Sequence, residues 1–327
     1  MKPFAYVNPA NEKEAVGALS PEYEKVLPIG GGQDLIARMK DYITQPDRLV
    51  NVKNLDAAVT RENGGLRIGS AAKMVDIAEH AEIARLYPAV SAAAIEVGTP
   101  QIRNQGTVGG NLNQRPRCWY FRNEEFVCYK KGGNRCFSPS GENQFHAILG
   151  GGPTYIVHPS SLAVPFVAYD ATFRLLGPRG ERMVKAADYF TMPTRENVER
   201  ENVLEPNELL THVILPPPGG VKSGHYEVRY KAAHDWPIAF ATVLLSMSGS
   251  TVSGARVVMG AVAPVPWRSK EAEQALAGKA VTPETAAAAA EAALAKAEPL
   301  SRNAYKVQVA KTAVERAILQ AAGLPIA

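Results

Sequence analysis

The sequence has no long hydrophobic segment, and this absence argues against a membrane-spanning protein. No apolar run among its 327 residues approaches the 18 or more that a membrane-spanning helix needs. The first residues, MKPFAYVNPANEKEA, also lack the apolar stretch of a secretory signal. We therefore expect a cytoplasmic protein, or a periplasmic one if a partner subunit carries an export signal.

The chain also lacks a strong excess of charge of one sign. It has 36 basic and 32 acidic residues, interspersed along its length, and a formal net charge of +4. Such a mild and mixed balance is not typical of proteins that bind nucleic acid or an anionic membrane surface. The sequence thus predicts neither kind of partner.

Two glycine-dense turns stand out, IGGGQDL at residues 29–35 and GTPQIRNQGTVGGN at residues 98–111. Neither has the spacing of the common nucleotide signatures GxGxxG and GxxxxGK[ST]. Glycine lets another group lie directly against the main chain, and successive N–H groups in such turns form a nest for phosphate oxygens. Thr107 and Asn111 add side-chain donors. Together the two turns predict a site in which both contact the diphosphate of one cofactor. Each turn alone also fits a simple tight loop.

The chain has three cysteines, and all of them lie in one stretch of the sequence. Cys118, Cys128 and Cys136 fall within 19 residues of the chain. An odd number cannot all pair as disulfides, and the spacing CX9CX7C does not match the paired ligands of zinc sites. The group indicates metal or iron–sulfur ligation, the alternative being three unrelated thiols in one loop. All three lie in residues 112–153, a long aperiodic segment whose aromatic content argues against disorder.

Hydrophobic periodicity predicts a chain that mixes helices and strands. The expected helices before the cysteine segment cover residues 11–19, 35–40, 72–86 and 89–97. The segment 98–111 is then expected to be a loop, with its main chain free to face a ligand. The expected strands cover residues 25–29, 48–52, 66–69, 155–157, 164–169, a hairpin at 173–184, 242–248 and 255–263. Two helices are expected near the end of the chain, one capped by Thr282 with Pro283 as its first residue, and one at about residues 303–322 that ends at Gly323.

Composition divides the chain at residues 216–220, PPPGG, which are typical of a linker. The residues before it, 1–215, begin with alternating strands and helices, which indicate a small α/β lobe. The residues after it, 221–327, are expected to form an α+β domain of their own.

The segments IGGGQDL at 29–35, QIRNQGTVGGNL at 101–112 and AYKVQVAKTAVERAIL at 304–319 resemble the flavin-binding subunit of the xanthine dehydrogenase and carbon monoxide dehydrogenase family. The resemblance extends over essentially the whole chain. It implies an α+β protein in which a two-lobed FAD-binding fold of the vanillyl-alcohol oxidase type precedes a C-terminal α+β domain. The two lobes are expected at about residues 1–55 and 56–215.

By this resemblance, FAD lies between the lobes. The main chain of the first turn is expected to hold the pyrophosphate and adenosine side of FAD. The residues of this turn and the two that border it are Ile29, Gly30, Gly31, Gly32, Gln33, Asp34 and Leu35. From the other lobe, the diphosphate is expected to contact Thr107, Gly109, Gly110 and Asn111. Ser161 stands where family members often carry an aspartate beside the ribityl chain. Lys231 is expected to neutralise a reduced flavin or a phosphate, close to His234, Asp235 and Trp236.

The stretch RCWYFRNEEFVCYKKGGNRCF is similar to an insertion found in a subset of the family, which includes bacterial aldehyde oxidoreductases and 4-hydroxybenzoyl-CoA reductase. That insertion carries an extra [4Fe–4S] cluster, which implies Cys118, Cys128 and Cys136 as three ligands. Thr154 stands where the fourth cysteine is expected. The open outcomes are a cluster with a non-cysteine fourth ligand (His146 or water), a three-iron cluster, or no cluster, and we favour a cluster bound by the three cysteines.

The resemblance also implies an oxidoreductase subunit that relays electrons. A molybdenum-cofactor subunit would oxidise the organic substrate, a small subunit with [2Fe–2S] clusters would pass the electrons on, and this chain would carry them through FAD to an external acceptor. No residue of this chain need then be a catalytic acid, base or nucleophile. The alternatives are a self-sufficient FAD oxidase or dehydrogenase of the same fold, and a non-enzymatic metal-binding module.

Overall fold

The computed structural model describes residues 1–231 and 234–326. In these residues the strands form three sheets, each built from one continuous part of the chain and each covered by helices. The three sheets therefore follow one another along the chain.

The first sheet is small and parallel. β1 (Ala5–Val7) and β2 (Val26–Ile29) both pair with the central β3 (Arg48–Asn51). The connections contain α1 (Glu12–Ala18) and α2 (Leu35–Lys40). The predicted helix at 11–19 is confirmed as α1, which begins where the Asn11 side chain accepts a hydrogen bond from the N–H of Glu14. Because β2 leads directly into residues 30–34, this sheet fixes the position of the first glycine turn.

The second sheet is antiparallel, and it has five strands in the order β4-β5-β8-β6-β7. Their bounds are β4 (Val59–Glu62), β5 (Gly65–Gly69), β6 (Thr172–Gly177), β7 (Gly180–Lys185) and β8 (Leu209–Leu215). β6 and β7 are the hairpin predicted at residues 173–184, which is confirmed.

Most of the helices between β5 and β8 pack with this sheet into one core. Their bounds are α3 (Met74–Glu79), α4 (Ala81–Leu86), α5 (Pro88–Ile95), α6 (Pro100–Gln105), α7 (Val108–Leu112), α8 (Trp119–Arg122), α9 (Ala163–Ala168) and α10 (Ala186–Tyr189). In the cysteine segment, α8 is followed by two single 3₁₀ turns, Tyr129–Lys131 and Ser138–Ser140.

Two expectations for this region are wrong. Residues 72–86 form two helices, because the backbone leaves the helical conformation at His80, whose ring accepts a hydrogen bond from the N–H of Ile83 and begins α4. Residues 164–169 lie largely in the helix α9 instead of a strand, and residues 155–157 have no regular structure. A short, wholly apolar run has no period that separates a buried helix from a strand. Here the Ser160 hydroxyl accepts a hydrogen bond at 3.1 Å from the N–H of Ala163, the first residue of α9.

The third sheet is antiparallel, with the order β12-β11-β10-β9. Its strands are β9 (Lys222–Arg229), β10 (Pro237–Ser248), β11 (Thr251–Gly260) and β12 (Trp267–Arg268), and its helices are α11 (Lys270–Leu276), α12 (Pro283–Ala293) and α13 (Tyr305–Ala322). Alternate residues of β10 enter two cores. Ala239 and Ala241 pack with α11–α13, whereas Phe240 and Leu244 join the core of the second sheet. This strand therefore ties the C-terminal part of the chain to the part before it.

The predicted start of α12 and the predicted end of α13 are confirmed. The Thr282 hydroxyl accepts a hydrogen bond from the N–H of Thr285, and Pro283 is the first residue of α12. Gly323 ends α13 in the left-handed conformation, with φ 73°. No helix in the described residues has the length and apolar character that a bilayer crossing requires.

Candidate functional site

The two glycine segments meet at one cavity with a volume of about 400 Å³. Its walls contain nearly all the predicted site residues, namely Ile29, Gly30, Gly31, Gly32, Gln33, Asp34, Leu35, Thr107, Gly109, Gly110, Asn111 and Ser161. His234, Asp235 and Trp236 border the same cavity. Lys231 is not brought there. It is exposed and lines a second cleft beside β9 and α13, so its expected contact with a flavin or phosphate stays a prediction.

The first glycine turn presents unengaged backbone donors to the cavity. Within the described part of the chain, none of the N–H groups of residues 30–34 donates a hydrogen bond. Gly32 has a φ of 73°, a conformation that glycine adopts without strain. A row of such N–H groups along a cavity wall is suited to bind an anion.

The second glycine segment differs from the expected open loop. It folds into α6 and α7, which begin at Thr99 and Thr107 respectively. The N–H groups of α7 are already used: Gly109 donates to the Ser70 carbonyl at 2.8 Å, and Gly110 donates to the Thr107 hydroxyl at 3.1 Å. The expectation that this main chain is free to face a ligand is therefore wrong, because the threonine cap begins a helix that engages the same donors.

The two segments touch each other through their backbones. A Cβ atom on Gly31 would lie 2.0 Å from the carbonyl oxygen of Gln105, and one on Gly30 would lie 2.6 Å from the Thr107 hydroxyl oxygen. No side chain fits at such distances, so these glycines are required for close approach. The second segment thus supports the first turn from behind.

Asn111 and Ser161 supply the polar side chains of the opposite wall. The Asn111 side-chain oxygen accepts hydrogen bonds from the Ser160 hydroxyl at 2.6 Å and from the N–H of Leu162 at 3.4 Å. Its amide nitrogen makes no hydrogen bond among residues 1–231 and 234–326, and it is the remaining donor of this side chain. Ser161 follows directly and lies on the cavity wall.

The Asp34 carboxylate lies in a cluster of arginines. It pairs with Arg38 at 3.1 Å and also with Arg117 and Arg122, and it accepts a hydrogen bond from the backbone N–H of Arg115 at 3.2 Å. Burial opposes ionisation of this carboxyl, but the charges of Arg117, Arg122 and Arg38 outweigh burial and lower its pKa to about 2. The Asp34 side chain therefore joins the first glycine turn to the beginning of the cysteine segment.

The arginine cluster continues inward from Asp34. Arg115 pairs with Glu24 and with Glu201, each at 2.7 Å, and Glu201 also pairs with Lys130 at 2.7 Å. Arg117 lies at the cavity end of the cluster, where its guanidinium stacks over the ring of Trp236 at 4.7 Å. The sequence analysis missed these residues. The only signal for them is the arginine-rich start of the cysteine segment, RPRCWYFR.

The three cysteines of the loop are free thiols and lie near one another. Burial raises the pKa of the Cys118 thiol to about 11, and the neighbouring Cys136 and Cys128 contribute in the same direction. Within the residues that the structure describes, no three His, Cys, Asp or Glu side chains are arranged to hold a metal ion. His146 lies beside Cys118, with its Nε2 atom 3.2 Å from the Cys118 Sγ atom.

The FAD binding domain in molybdopterin dehydrogenase matches residues 2–218, and the CO dehydrogenase flavoprotein C-terminal domain matches residues 224–321. The chain is 33% identical over 298 residues to the aldehyde oxidoreductase FAD-binding subunit PaoB of Escherichia coli, covering 90% of each chain. The chain belongs to the molybdopterin dehydrogenase FAD-binding family.

Other members of the family agree with this assignment. The chain is 28% identical over 323 residues to the carbon monoxide dehydrogenase medium chain of Hydrogenophaga pseudoflava, covering 96% of each chain. A solved structure of carbon monoxide dehydrogenase from that organism matches with a TM-score of 0.75 and 28% identity, over 98% of this chain and 97% of the other. The predicted resemblance, fold class and role as an FAD-carrying oxidoreductase subunit of the molybdenum hydroxylase type are confirmed.

In this flavin subunit, Gly31→Ala should push the two glycine segments apart, because the new methyl group would meet the Gln105 carbonyl. We expect FAD binding to weaken at least tenfold and the melting temperature to fall, measured by flavin fluorescence titration and thermal unfolding. Gly17→Ala in α1 is the control, since a Cβ there meets nothing within 4 Å. That variant should bind FAD normally and gain about 0.5 kcal/mol in free energy of unfolding. Normal FAD affinity in Gly31→Ala would contradict the close-packing role.

In the same subunit, Asp34→Asn removes the charge that faces Arg38, Arg117 and Arg122. Removing one partner from a mostly buried ion cluster costs about 3–5 kcal/mol, so we expect a loss of this order in the free energy of unfolding at pH 7. Because the folded pKa of Asp34 is about 2 and its ordinary value is 3.8, this stabilisation is present above pH 4 and lost as the pH falls towards 2.

Denaturant unfolding of wild type and Asp34→Asn between pH 7 and pH 2 measures this difference. The two unfolding free energies should converge in acid. Asp41→Asn is the control, because Asp41 is exposed and makes no ion pair within the described ranges. A pH-independent difference for Asp34→Asn would show that its charge is not the cause.

Proposed function

We propose that this chain is the electron-relay subunit of a molybdenum hydroxylase complex, with FAD seated in the cavity that residues 30–34 and the second glycine segment both line. FAD exchanges electrons singly or in pairs, so when bound it links one-electron iron–sulfur carriers to a two-electron acceptor. The observation that carries the proposal is the row of unengaged N–H groups at residues 30–34, in a chain of an FAD-binding family.

Two properties of the cavity fit a diphosphate. Backbone N–H groups form charge-assisted hydrogen bonds with phosphate oxygens, and Gly30, Gly31 and Gly32 leave the main chain open to such an approach. The ion cluster beside the cavity is the second property. In the described residues it brings five cationic side chains together with three carboxylates. The positive surplus favours an anion next to it.

The second segment has a supporting role in this proposal. Thr107 packs against Gly30 of the first turn and Gly109 holds α7 against Ser70, while the exposed Gly110 and the amide of Asn111 line the cavity. Ser161 offers a hydroxyl on the same wall, where we place the ribityl chain. Lys231 lines a different cleft, so its proposed contact with a flavin or a phosphate would have to be made from outside this cavity.

Two carboxylates that line the cavity, Asp34 and Glu201, are unsuited to acid–base chemistry on an organic substrate. Both are held in ion pairs, and their pKa values are lowered by the arginine and lysine charges around them, against the effect of burial. We therefore assign substrate oxidation to a molybdenum-cofactor subunit and electron delivery to a [2Fe–2S] subunit. The names of the relatives, an FAD-binding subunit and a medium chain, support an assembly of several chains.

The proposal includes a division of the chain at residues 216–220, with an FAD-binding part at 1–215 and a C-terminal domain at 221–327. The separation of the sheets supports it, as do the two family matches on either side of residues 219–223. Within the first part, the parallel and antiparallel sheets support lobes at about 1–55 and 56–215. A cytoplasmic location is supported by the three unpaired thiols.

We further propose that Cys118, Cys128 and Cys136 hold a [4Fe–4S] cluster. Their thiols are free, Cys128 is buried, and Cys136 and Cys128 are near enough to Cys118 to contribute to its raised pKa. Aromatic rings surround the segment, with Tyr120 and Phe126 packed at 5.1 Å between centroids. Thiolates in such an apolar shell are typical ligands of iron–sulfur clusters.

Gly110 gives a test of the FAD site that separates charge from bulk. A Cβ on Gly110 would meet only the Thr107 hydroxyl, at 3.0 Å, so a side chain here extends into the cavity without displacing the backbone. Gly110→Asp places a negative charge beside the diphosphate and should weaken FAD binding by more than tenfold, giving a colourless protein. Gly110→Asn has the same size without the charge and should keep most of its FAD. Equal FAD content in the two variants would contradict a diphosphate at this wall.

The cluster is tested by iron and acid-labile sulfide per FAD in the anaerobically purified full-length chain. We expect about four irons and four sulfides, with a broad absorption shoulder beneath the flavin bands. Cys128→Ser should lose iron and sulfide but keep FAD. Flavin bands without iron would contradict the cluster and leave the FAD site intact, whereas zinc without flavin would favour the metal-binding module.

A further inference from the structure

One cation on the cavity wall, the guanidinium of Arg117, has no assigned contact in the FAD site proposed above. The Asp34 carboxylate pairs with three arginines, and the side chain of Arg117 is 26% exposed, against 16% for Arg122 and 7% for Arg38. Among the described residues, the cavity wall includes Arg117 and Arg38 but not Arg122. Arg117 therefore presents the most accessible charge of this group to the cavity.

The carboxylates around this group do not compensate all of its charge. Among the described residues, Asp34 is the one carboxylate that pairs with Arg117 or with Arg122, and it also pairs with Arg38. Arg38 has a second carboxylate partner, Glu24, at 3.0 Å. Arg117 and Arg122 thus share a positive charge that no carboxylate balances, next to the turn whose N–H groups line the cavity.

Arg122 differs from Arg117 in how its donors are used. Its Nε atom donates to the Pro116 carbonyl at 2.7 Å, and a terminal nitrogen donates to the Arg115 carbonyl at 3.0 Å. These carbonyl dipoles stabilise the charge of Arg122 within the protein. The unbalanced charge is therefore available to a ligand through Arg117.

The Arg117 guanidinium is fixed by three parts of the chain that meet at the cavity. One terminal nitrogen donates to Asp34, which follows the first glycine turn, and the other donates to the Gln114 side-chain oxygen at 2.7 Å. Gln114 in turn donates to the carbonyl of Asn111 in the second glycine segment at 3.0 Å. Trp236 of the C-terminal part stacks on the guanidinium at 4.7 Å. A group held in this way loses little conformational freedom when it binds a ligand.

Arg117 keeps hydrogen-bond donors for a ligand. A guanidinium has five N–H donors, and in the described residues the bonds to Asp34 and Gln114 use one on each terminal nitrogen. Stacking on Trp236 occupies a face of the guanidinium and not its N–H edge. Each terminal nitrogen therefore keeps a second N–H. Charged N–H donors of this kind form strong hydrogen bonds with phosphate oxygens.

We propose that Arg117 binds the diphosphate of FAD, and that its terminal nitrogens donate to a phosphate oxygen alongside the N–H groups of residues 30–34. This inference rests on the FAD site proposed above and adds to it a cationic residue from the cysteine segment. A purely structural ion pair between Arg117 and Asp34 is an outcome of the test.

The test measures ligand binding to the full-length chain. Arg117→Gln should weaken FAD binding about tenfold or more, measured by flavin fluorescence titration, because a charge-assisted hydrogen bond to phosphate is lost. The variant should fold, since Asp34 keeps Arg38 and Arg122 as partners. ADP is the second probe, because it carries a diphosphate and no flavin. Its affinity, measured by displacement of FAD, should fall by a similar factor.

Arg122→Gln is the matched control. It removes the same charge from the same carboxylate, but Arg122 is not among the described residues that line the cavity. We expect a similar loss of thermal stability and a loss of FAD affinity smaller than about threefold. Arg117→Lys keeps the positive charge and should bind FAD more tightly than Arg117→Gln.

Three results would overturn the assignment. Wild-type FAD affinity in a folded Arg117→Gln protein would leave Arg117 as a structural ion pair. Weaker binding of FAD with unchanged binding of ADP would place its contact on the flavin and not on the diphosphate. Equal losses of FAD affinity in Arg117→Gln and Arg122→Gln would assign the effect to the ion cluster as a whole. A wild-type chain that binds no FAD would instead contradict the proposed function itself, so the two failures are distinguishable.

Discussion

The backbone contact between the two glycine segments is the constraint on which the cofactor site depends. Gly31 and the Gln105 carbonyl are so close that a methyl group would overlap the oxygen. The glycines are therefore needed at this point for close approach, more than for a donor nest on each side. The N–H groups of α7 are engaged within the protein, whereas those of residues 30–34 donate no hydrogen bond in the described part of the chain. The two motifs look alike in sequence, but the first leaves its donors available and the second packs against it.

The ion cluster around Asp34 extends this arrangement into the cysteine segment. Several charges are buried together here, which is unfavourable unless each is paired. Each carboxylate meets two or more cations, and Arg115 lies between Glu24 and Glu201. Because Arg117 and Arg122 flank Cys118 in sequence, the carboxylate next to the first glycine turn also fixes the start of the loop that carries the thiols. The FAD cavity and the cysteine site thus share one structural element.

The sequence predicted the parts of the fold that depend on local chemistry. The caps at Asn11 and Thr282 and the glycine stop at Gly323 are decided by neighbouring residues, and they are confirmed. The family and the fold class followed from motifs. What failed depends on partners distant in the chain or on ambiguous patterns. Val164 lies in a uniformly apolar run that has no readable period.

The candidate site likewise has features that the local sequence predicts and features that depend on residues distant in the chain. The glycines at 30–32 were identified because their residue type alone suggests the role. The use of the α7 donors by Thr107 and Ser70 is set by tertiary packing, and the pairs of Asp34 with Arg117 and Arg122 each span more than 80 residues of sequence. Pairing at such a separation leaves no periodic trace in one chain, so only the arginine-rich composition near residue 117 could have hinted at it.

The C-terminal domain also shapes the cysteine segment, beyond closing the cofactor cavity. Ile148 and Leu149 are buried in its core, and Lys306 holds residues 145–146 through their carbonyls. The arginine cluster fixes the other end of the segment, near Cys118. A loop anchored at both ends by different parts of the protein keeps a defined geometry without secondary structure of its own. Since electron transfer depends on fixed distances between carriers, a segment held in this way can place a redox centre relative to FAD, whereas a freely moving loop could not.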